Sequence, residues 1–207
     1  MLTTSLQNGR GRVRRRSPLG ILAGLGIGLL MSHLGAQFSA LEGQEPEPGI
    51  EFVGSGVPGL DTIYLRGIGS DDPEGLLRME VWANEVSDLY GLSFALQFSD
   101  ELFKFPKGRE TVFVEGPFLA GEAGEETVPV VRQSGDEIII GHTRIGQVEG
   151  VSGSGLLMTL EFRGRGVAGK KLFRFRNAVA FDSSGAVADR YQWLSGKAGV
   201  TVAEPPG

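Results

Sequence analysis

The fold class this sequence predicts is all-β: an antiparallel two-sheet β-sandwich, jelly-roll-like, with an N-terminal signal or anchor segment ahead of it. Three observations predict it. Apolar residues recur at every second position in run after run. In one such run Leu92, Phe94, Leu96 and Phe98 alternate with Ser93, Ala95 and Gln97, which is the period of a strand with one buried face. Glycine is abundant, at 33 of 207 residues, and it cuts the chain into short pieces, as a fold with many turns requires. No stretch carries a long amphipathic helical pattern.

The chain opens on a targeting layout. Residues 1–40 hold no Asp or Glu and carry Arg10, Arg12, Arg14, Arg15 and Arg16, followed by an apolar, Gly-rich run over residues 19–31. Basic, then apolar, then small is the order of a secretory signal, and the run is short for a full membrane span. Residues 1–40 are therefore read as a signal peptide or membrane anchor of a bacterial protein that is secreted or held in the cell envelope. Residues 41–60 read as an acidic, Pro- and Gly-rich linker. Within it, Gly54-Ser55-Gly56-Val57-Pro58-Gly59 matches the spacing of a dinucleotide-binding loop. No full strand is read before it, Pro58 stands where a helix should begin, and no amphipathic helix follows, so it reads as a turn.

Residues 61–203 form the predicted sandwich, with about nine short strands. Residues 62–66 are the first. Residues 76–86 place Leu77, Met79, Val81 and Ala83 inward and Arg78, Glu80 and Trp82 outward. Residues 91–98 follow, and after a polar corner Leu102, Phe103 and Phe105 return apolar mass to the core. Residues 110–114 form a weaker strand, and residues 116–126 a Gly-rich loop. Strands 127–132 and 137–143 flank a Ser134-Gly135-Asp136 turn. Residues 146–155 read as another Gly-rich loop. In residues 156–162, Leu156, Met158, Leu160 and Phe162 share one parity. Phe173, Phe175, Val179 and Phe181 share another, opposite Arg174 and Arg176. A last strand covers residues 199–202.

Charge and composition exclude several function classes. Beyond residue 40 the chain holds all 25 acidic residues and 20 − 5 = 15 basic ones; an acidic body argues against a nucleic-acid partner. Cysteine is absent, so thiolate chemistry and disulfides are excluded. His33 lies in the leader, which leaves His142 as the one imidazole of the body. No Ser-His-Asp triad or histidine-rich metal site can be built from it, and His142 reads as a strand-end residue. The acids fall in turns and on strand exteriors, so the chain does not read as an enzyme. The one cofactor considered is calcium in the Asp71/Asp72/Glu74 turn; the spacing does not fit an EF-hand, and a plain turn is preferred.

The strand series resembles a cohesin-like domain, of the same sandwich superfamily as certain cellulose-binding modules. Tyr90-Gly91-Leu92-Ser93-Phe94-Ala95-Leu96-Gln97-Phe98-Ser99-Asp100-Glu101-Leu102-Phe103 is similar to that family's segment in which a glycine opens alternating aromatic and leucine positions before an Asp-Pro corner, with the proline missing here. Gly153-Ser154-Gly155-Leu156-Leu157-Met158-Thr159-Leu160-Glu161-Phe162 is similar to a later core strand, and residues 177–189 to the closing hairpin. The resemblance spans residues 62–202. It implies a non-catalytic module grouped with carbohydrate binding and polysaccharide breakdown, or one that docks a dockerin.

Two partner classes follow. A polysaccharide would stack on exposed aromatic rings. Trp82 lies on the polar side of its strand, and Tyr191 and Trp193 have strand spacing, so these three are the candidate ligand-binding residues if they form a flat row. If they plug the sandwich instead, the partner is a dockerin-like or other surface protein. Membrane contact is expected through the N-terminal segment alone.

Overall fold

The computed structural model describes residues 47–106 and 113–204. Residues 1–46, which hold the predicted leader and the start of the predicted linker, and residues 107–112, which hold most of the predicted 110–114 strand, lie outside the described residues. The regular elements are strands: β1 (Gly49–Gly54), β2 (Thr62–Ile68), β3 (Leu76–Leu89), β4 (Gly91–Gln97), β5 (Phe103–Lys104), β6 (Phe113–Glu115), β7 (Thr127–Ser134), β8 (Glu137–Arg144), β9 (Val151–Gly164), β10 (Gly169–Phe181), β11 (Gln192–Leu194) and β12 (Gly196–Thr201). One sheet runs β1-β12-β10-β4-β8-β7. The other runs β11-β2-β3-β9-β5, with β6 also paired to β9. Every pairing is antiparallel except β11 with β2.

The core lies between the sheets, and alternation builds it. Leu92, Phe94 and Leu96 of β4 are buried beside Ile138 and Ile140 of β8, while Leu77, Met79 and Val81 of β3 face Met158, Leu160 and Phe162 of β9. Phenylalanines close the middle. Phe162 meets Phe173 edge-on at 5.0 Å, and Phe94 meets Phe175 at 5.0 Å. Such edge contacts add to the burial of each ring. Leu102, Phe103 and Phe105 are buried as a plug at one end. The β7–β8 hairpin turns through Gly135 at φ 61°, the first position of a two-residue loop, where a type II′ turn calls for glycine.

Four differences from the sequence reading have physical causes. First, residues 49–54 of the predicted linker are a strand: Ile50 and Phe52 turn inward as β1 pairs with β12. A strand therefore does precede the glycine-rich stretch, but β2, not a helix, follows. Second, the predicted 146–155 loop ends early, because β9 continues along β3 from Val151. It does so through two bulges at Glu85 and Asp88, both at positive φ (47° and 53°). Ser154 and Ser152 Oγ accept the N–H groups of Glu85 and Asp88 at 2.8 and 3.0 Å. Third, a register shift at Trp82 places Leu157 in the core and Leu156 half-exposed beside Trp82. Fourth, Asn177 sits at φ 48° in a bulge of β10, so parity reverses: Phe173 and Phe175 face inward, but Val179 and Phe181 pair with the outward Ser93 and Gly91. Asn tolerates this left-handed conformation better than most residues. β5 and β11, two and three residues long, are too short to display a period.

Candidate functional site

The three candidate aromatics do not form one row. Trp82 is on the outside of the second sheet, directly across from Tyr64. Its Nε1–H donates to Glu80 Oε2 at 2.8 Å, and the Arg66 guanidinium lies 6.0 Å from its ring. Trp193 is opposite Ile63 in a parallel pairing and shares its inward side. Its ring lies between the sheets, 5.1 Å from Phe175 and 5.8 Å from Phe94. Tyr191 is buried, and its hydroxyl donates to the Ser87 carbonyl at 2.7 Å, with Arg190 stacked 4.9 Å from the ring. Burial pushes the Tyr191 phenol above its ordinary range, against the pull of Arg190. Trp193 and Tyr191 therefore plug the sandwich, and Trp82 stands apart from them with Tyr64 as its neighbour.

The outer face of the first sheet has a different character. Its register places side chains in cross-strand rows. One row reads Arg176–Ala95–Ile139–Arg132, across β10, β4, β8 and β7. On one side of it lies Ser93–Gly141–Val130, and beyond that Phe181–Gly91–Thr143–Val128; on the other side lies Arg174–Gln97–Glu137–Ser134. Strands about 4.8 Å apart make this a shallow surface. Its floor is small: Ser93, Ala95 and Gly141. Ile139, Val130 and Val128 are 42%, 54% and 40% exposed; Val128 and Val130 alternate on β7, and Ile139, paired with Arg132, lies diagonal to Val130. Arg132, Arg174 and Arg176 thus lie toward one end of this flat face and Val128, Val130 and Phe181 toward the other, with Ile139 in the row between Arg132 and Arg176. The candidate-residue reading missed this face. The signal was present in Val128, Val130 and Ile139, which fall on the outward parity of strands whose inward residues already fill the core.

Several other titratable groups have structural duties. His142 lies inside β8, buried and facing the core rather than at a strand end, and its Nε2 is 2.9 Å from Glu115 Oε1. Because a carboxylate accepts, Nε2 carries the proton, and the bond ties β8 of one sheet to β6 of the other. Burial holds the imidazole below its ordinary value, with the Glu115 carboxylate pulling the other way. Thr127 Oγ1 donates to the same carboxylate oxygen at 2.7 Å, so the hydroxyl is directed at Glu115 and not at the imidazole, unlike a nucleophile in a triad. In the other loops, Asp72 Oδ1 accepts the Glu74 N–H at 2.9 Å. Asp182 accepts from Ser184 Oγ at 2.6 Å and from the Ser184 and Ala186 amides, which hold its carboxyl below the usual range. Both carboxylates brace turns. Among the described residues no group of three or more His, Cys, Asp or Glu is placed to hold a metal.

No family model matches the chain, and no curated protein matches it. Solved structures do. The second type II cohesin module from the adaptor scaffoldin of Acetivibrio cellulolyticus superposes with a TM-score of 0.55 at 11% identity, over 73% of this chain and 94% of that one. The cohesin CaCohA2 from Clostridium acetobutylicum, solved in solution, gives a TM-score of 0.52 at 14% identity over 69% and 92% of the two chains. CaCohA2 in its complex with CaDoc0917 gives 0.53 at 13% identity over 68% and 99%. At this identity the likeness shows the fold: the described strands form a cohesin-like sandwich.

Proposed function

We propose that this chain is a non-catalytic docking module of an exported bacterial protein, and that a dockerin-like or other surface protein seats on the outer face of the first sheet. One observation carries the reading: Val128 and Val130 alternate on the outer side of β7 and Ile139 of β8 lies diagonal to Val130, all three exposed, with Arg132 directly across from Ile139 and Arg176 in the same cross-strand row. Single exposed apolar residues are ordinary, but neighbours grouped on a flat face with a polar rim mark a partner surface. The shared fold supports it, since CaCohA2 was crystallised in a complex with CaDoc0917. The basic and apolar leader supports the exported location. Polysaccharide binding has less support, because Tyr191 and Trp193 pack into the sandwich and leave Trp82 without the other two rings.

The test is a capture experiment with the full chain and a Val130→Asp, Ile139→Asp variant, run beside a pulldown on insoluble polysaccharides. A protein captured by the native chain and lost by the variant at unchanged melting temperature supports docking. Polysaccharide binding that survives in that variant and falls with Trp82→Ala overturns it.

A further inference from the structure

Resting on the docking reading, we infer that the partner presents a carboxylate-rich surface, which Arg132, Arg174 and Arg176 recognise beside the apolar contact. The argument begins with charge asymmetry. The chain beyond residue 40 carries 15 − 25 = −10 formal charges. Yet the outward strand positions of the first sheet hold Arg132, Lys170, Arg174, Arg176 and Lys197 against Glu51 and Glu137, a balance of 5 − 2 = +3. An acidic body that concentrates cations on one flat face focuses a positive potential there.

The arginines are also available. Four basic side chains elsewhere are ion-paired: Arg66 with Glu80 at 3.9 Å, Arg78 with Glu161 at 3.8 Å, Lys171 with Glu101 at 3.4 Å and Arg190 with Asp61 at 3.6 Å. Among the described residues, no carboxylate lies within ion-pair distance of Arg132, Arg174 or Arg176. All three are exposed. Even the face's own turn acid, Asp136, is turned to Gln97, whose Nε2 donates to it at 3.2 Å. Arginine suits the task, since its planar fork grips a carboxylate with two hydrogen bonds.

The geometry separates the labour. Arg176 and Arg132 occupy the two ends of one cross-strand row with Ala95 and Ile139 between them, and Arg174 heads the next row. Three strand spacings put the ends of that row about 14 Å apart. Carboxylates at that separation on the partner would bracket an apolar group resting on Ala95 and Ile139. The cations steer encounter, and the exclusion of water at the centre slows escape.

The experiment immobilises the full chain and incubates it with the exported protein fraction of the source organism. The captured protein is identified, purified and measured by surface plasmon resonance between low and high salt. Three forms are compared: native, Arg132→Gln/Arg174→Gln/Arg176→Gln, and Val130→Ser/Ile139→Ser. Polygalacturonate and alginate serve as a separate arm. We expect an acidic partner whose association rate falls about tenfold with salt and falls to a similar degree in the arginine variant, while the apolar variant raises the dissociation rate. An apolar-dependent partner that ignores salt and the arginines overturns the acidic-partner inference and leaves the docking reading intact. A captured protein indifferent to both variants, or no captured protein, overturns both. Arginine-dependent binding of the acidic polysaccharides in place of a protein also overturns the inference. Each variant's melting temperature and circular dichroism are compared with native, and these exposed positions should leave both unchanged.

Discussion

Replacing Trp193 by Ala separates the core-plug role from a ligand-platform role, and the structure sets the size of the effect. The Trp193 ring is half-buried and meets Phe175 at 5.1 Å and Phe94 at 5.8 Å. Removing a buried Phe or Trp costs roughly 3–5 kcal/mol. Partial exposure of Trp193 puts the expectation at the lower end, about 3 kcal/mol, including the edge-on contact with Phe175 and the tilted contact with Phe94. At roughly 2–4 °C per kcal/mol for a domain of this size, Trp193→Ala should melt about 6–12 °C below native. Trp82→Ala is the control. Its ring lies outside the second sheet and loses one hydrogen bond, to Glu80, and one distant cation contact, to Arg66, together about 1 kcal/mol. Thermal and urea unfolding with both variants make the comparison, with the urea slope checking that the unfolded state is unchanged. Equal, small shifts for the two tryptophans would refute the plug and restore an exposed ring at position 193.

Four further outcomes follow from the same packing. His142, held below its ordinary value of 6.5 by burial, binds fewer protons folded than unfolded, so its share of stability is present above that ordinary value and is lost as pH falls from it through the depressed folded value; between pH 7 and 5 the urea midpoint of native protein should fall more than that of His142→Gln. Asn177→Val should lower stability by about 1–2 kcal/mol while Asn177→Gly stays near native, because the bulge needs φ 48°; equal melting of the two refutes the bulge. Ser152→Ala and Ser154→Ala should each cost about 1 kcal/mol by leaving the Asp88 and Glu85 amides without their side-chain acceptors, read by denaturation and by faster amide exchange at those two positions. Tyr191→Phe should cost about 1 kcal/mol through the lost bond to the Ser87 carbonyl, again by denaturation.

The sandwich was legible because most of its strands keep a strict alternation, and alternation is what burial on one side imposes. Leu92, Phe94 and Leu96 read correctly, as did Leu77, Met79 and Val81, since no bulge interrupts those runs. The misreadings cluster where the pairing slips. Asn177 carries a left-handed turn that composition does not announce, and it reverses Val179 and Phe181. Ser152 and Ser154 look like loop residues because small polar side chains between glycines usually are; here their hydroxyls brace the bulges of β3. Ile50 and Phe52 alternate, but a Pro-rich neighbourhood masked a pairing whose partner, β12, lies at the far end of the chain. The flat row of three aromatics does not form, for a related reason. Strand spacing put Tyr191 and Trp193 on one side without saying which, and the parallel pairing of β11 with β2 turns that side inward.

Parity is also what gives the proposed docking face its chemistry. In an unbulged β10, Val179 and Phe181 would continue the inward series of Phe173 and Phe175, and Ala180 would face out. The Asn177 bulge exchanges them: Ala180 is buried beside Leu92, while Val179 and Phe181 join the outer face in the rows of Ser93 and Gly91. Arg174 and Arg176 precede the bulge and keep their outward positions. One backbone irregularity therefore divides the outer edge of β10 into a cationic half and an apolar half. The same division continues across the sheet, where Val128 and Val130 precede Arg132 along the antiparallel β7. Two strands, neighbours of β4 and β8 on opposite sides, thus present their arginines toward one end and their apolar residues toward the other. A partner that matches both halves can seat in one orientation only, because turning it end for end would press its carboxylates onto Val130 and Phe181 and leave the arginines unpaired.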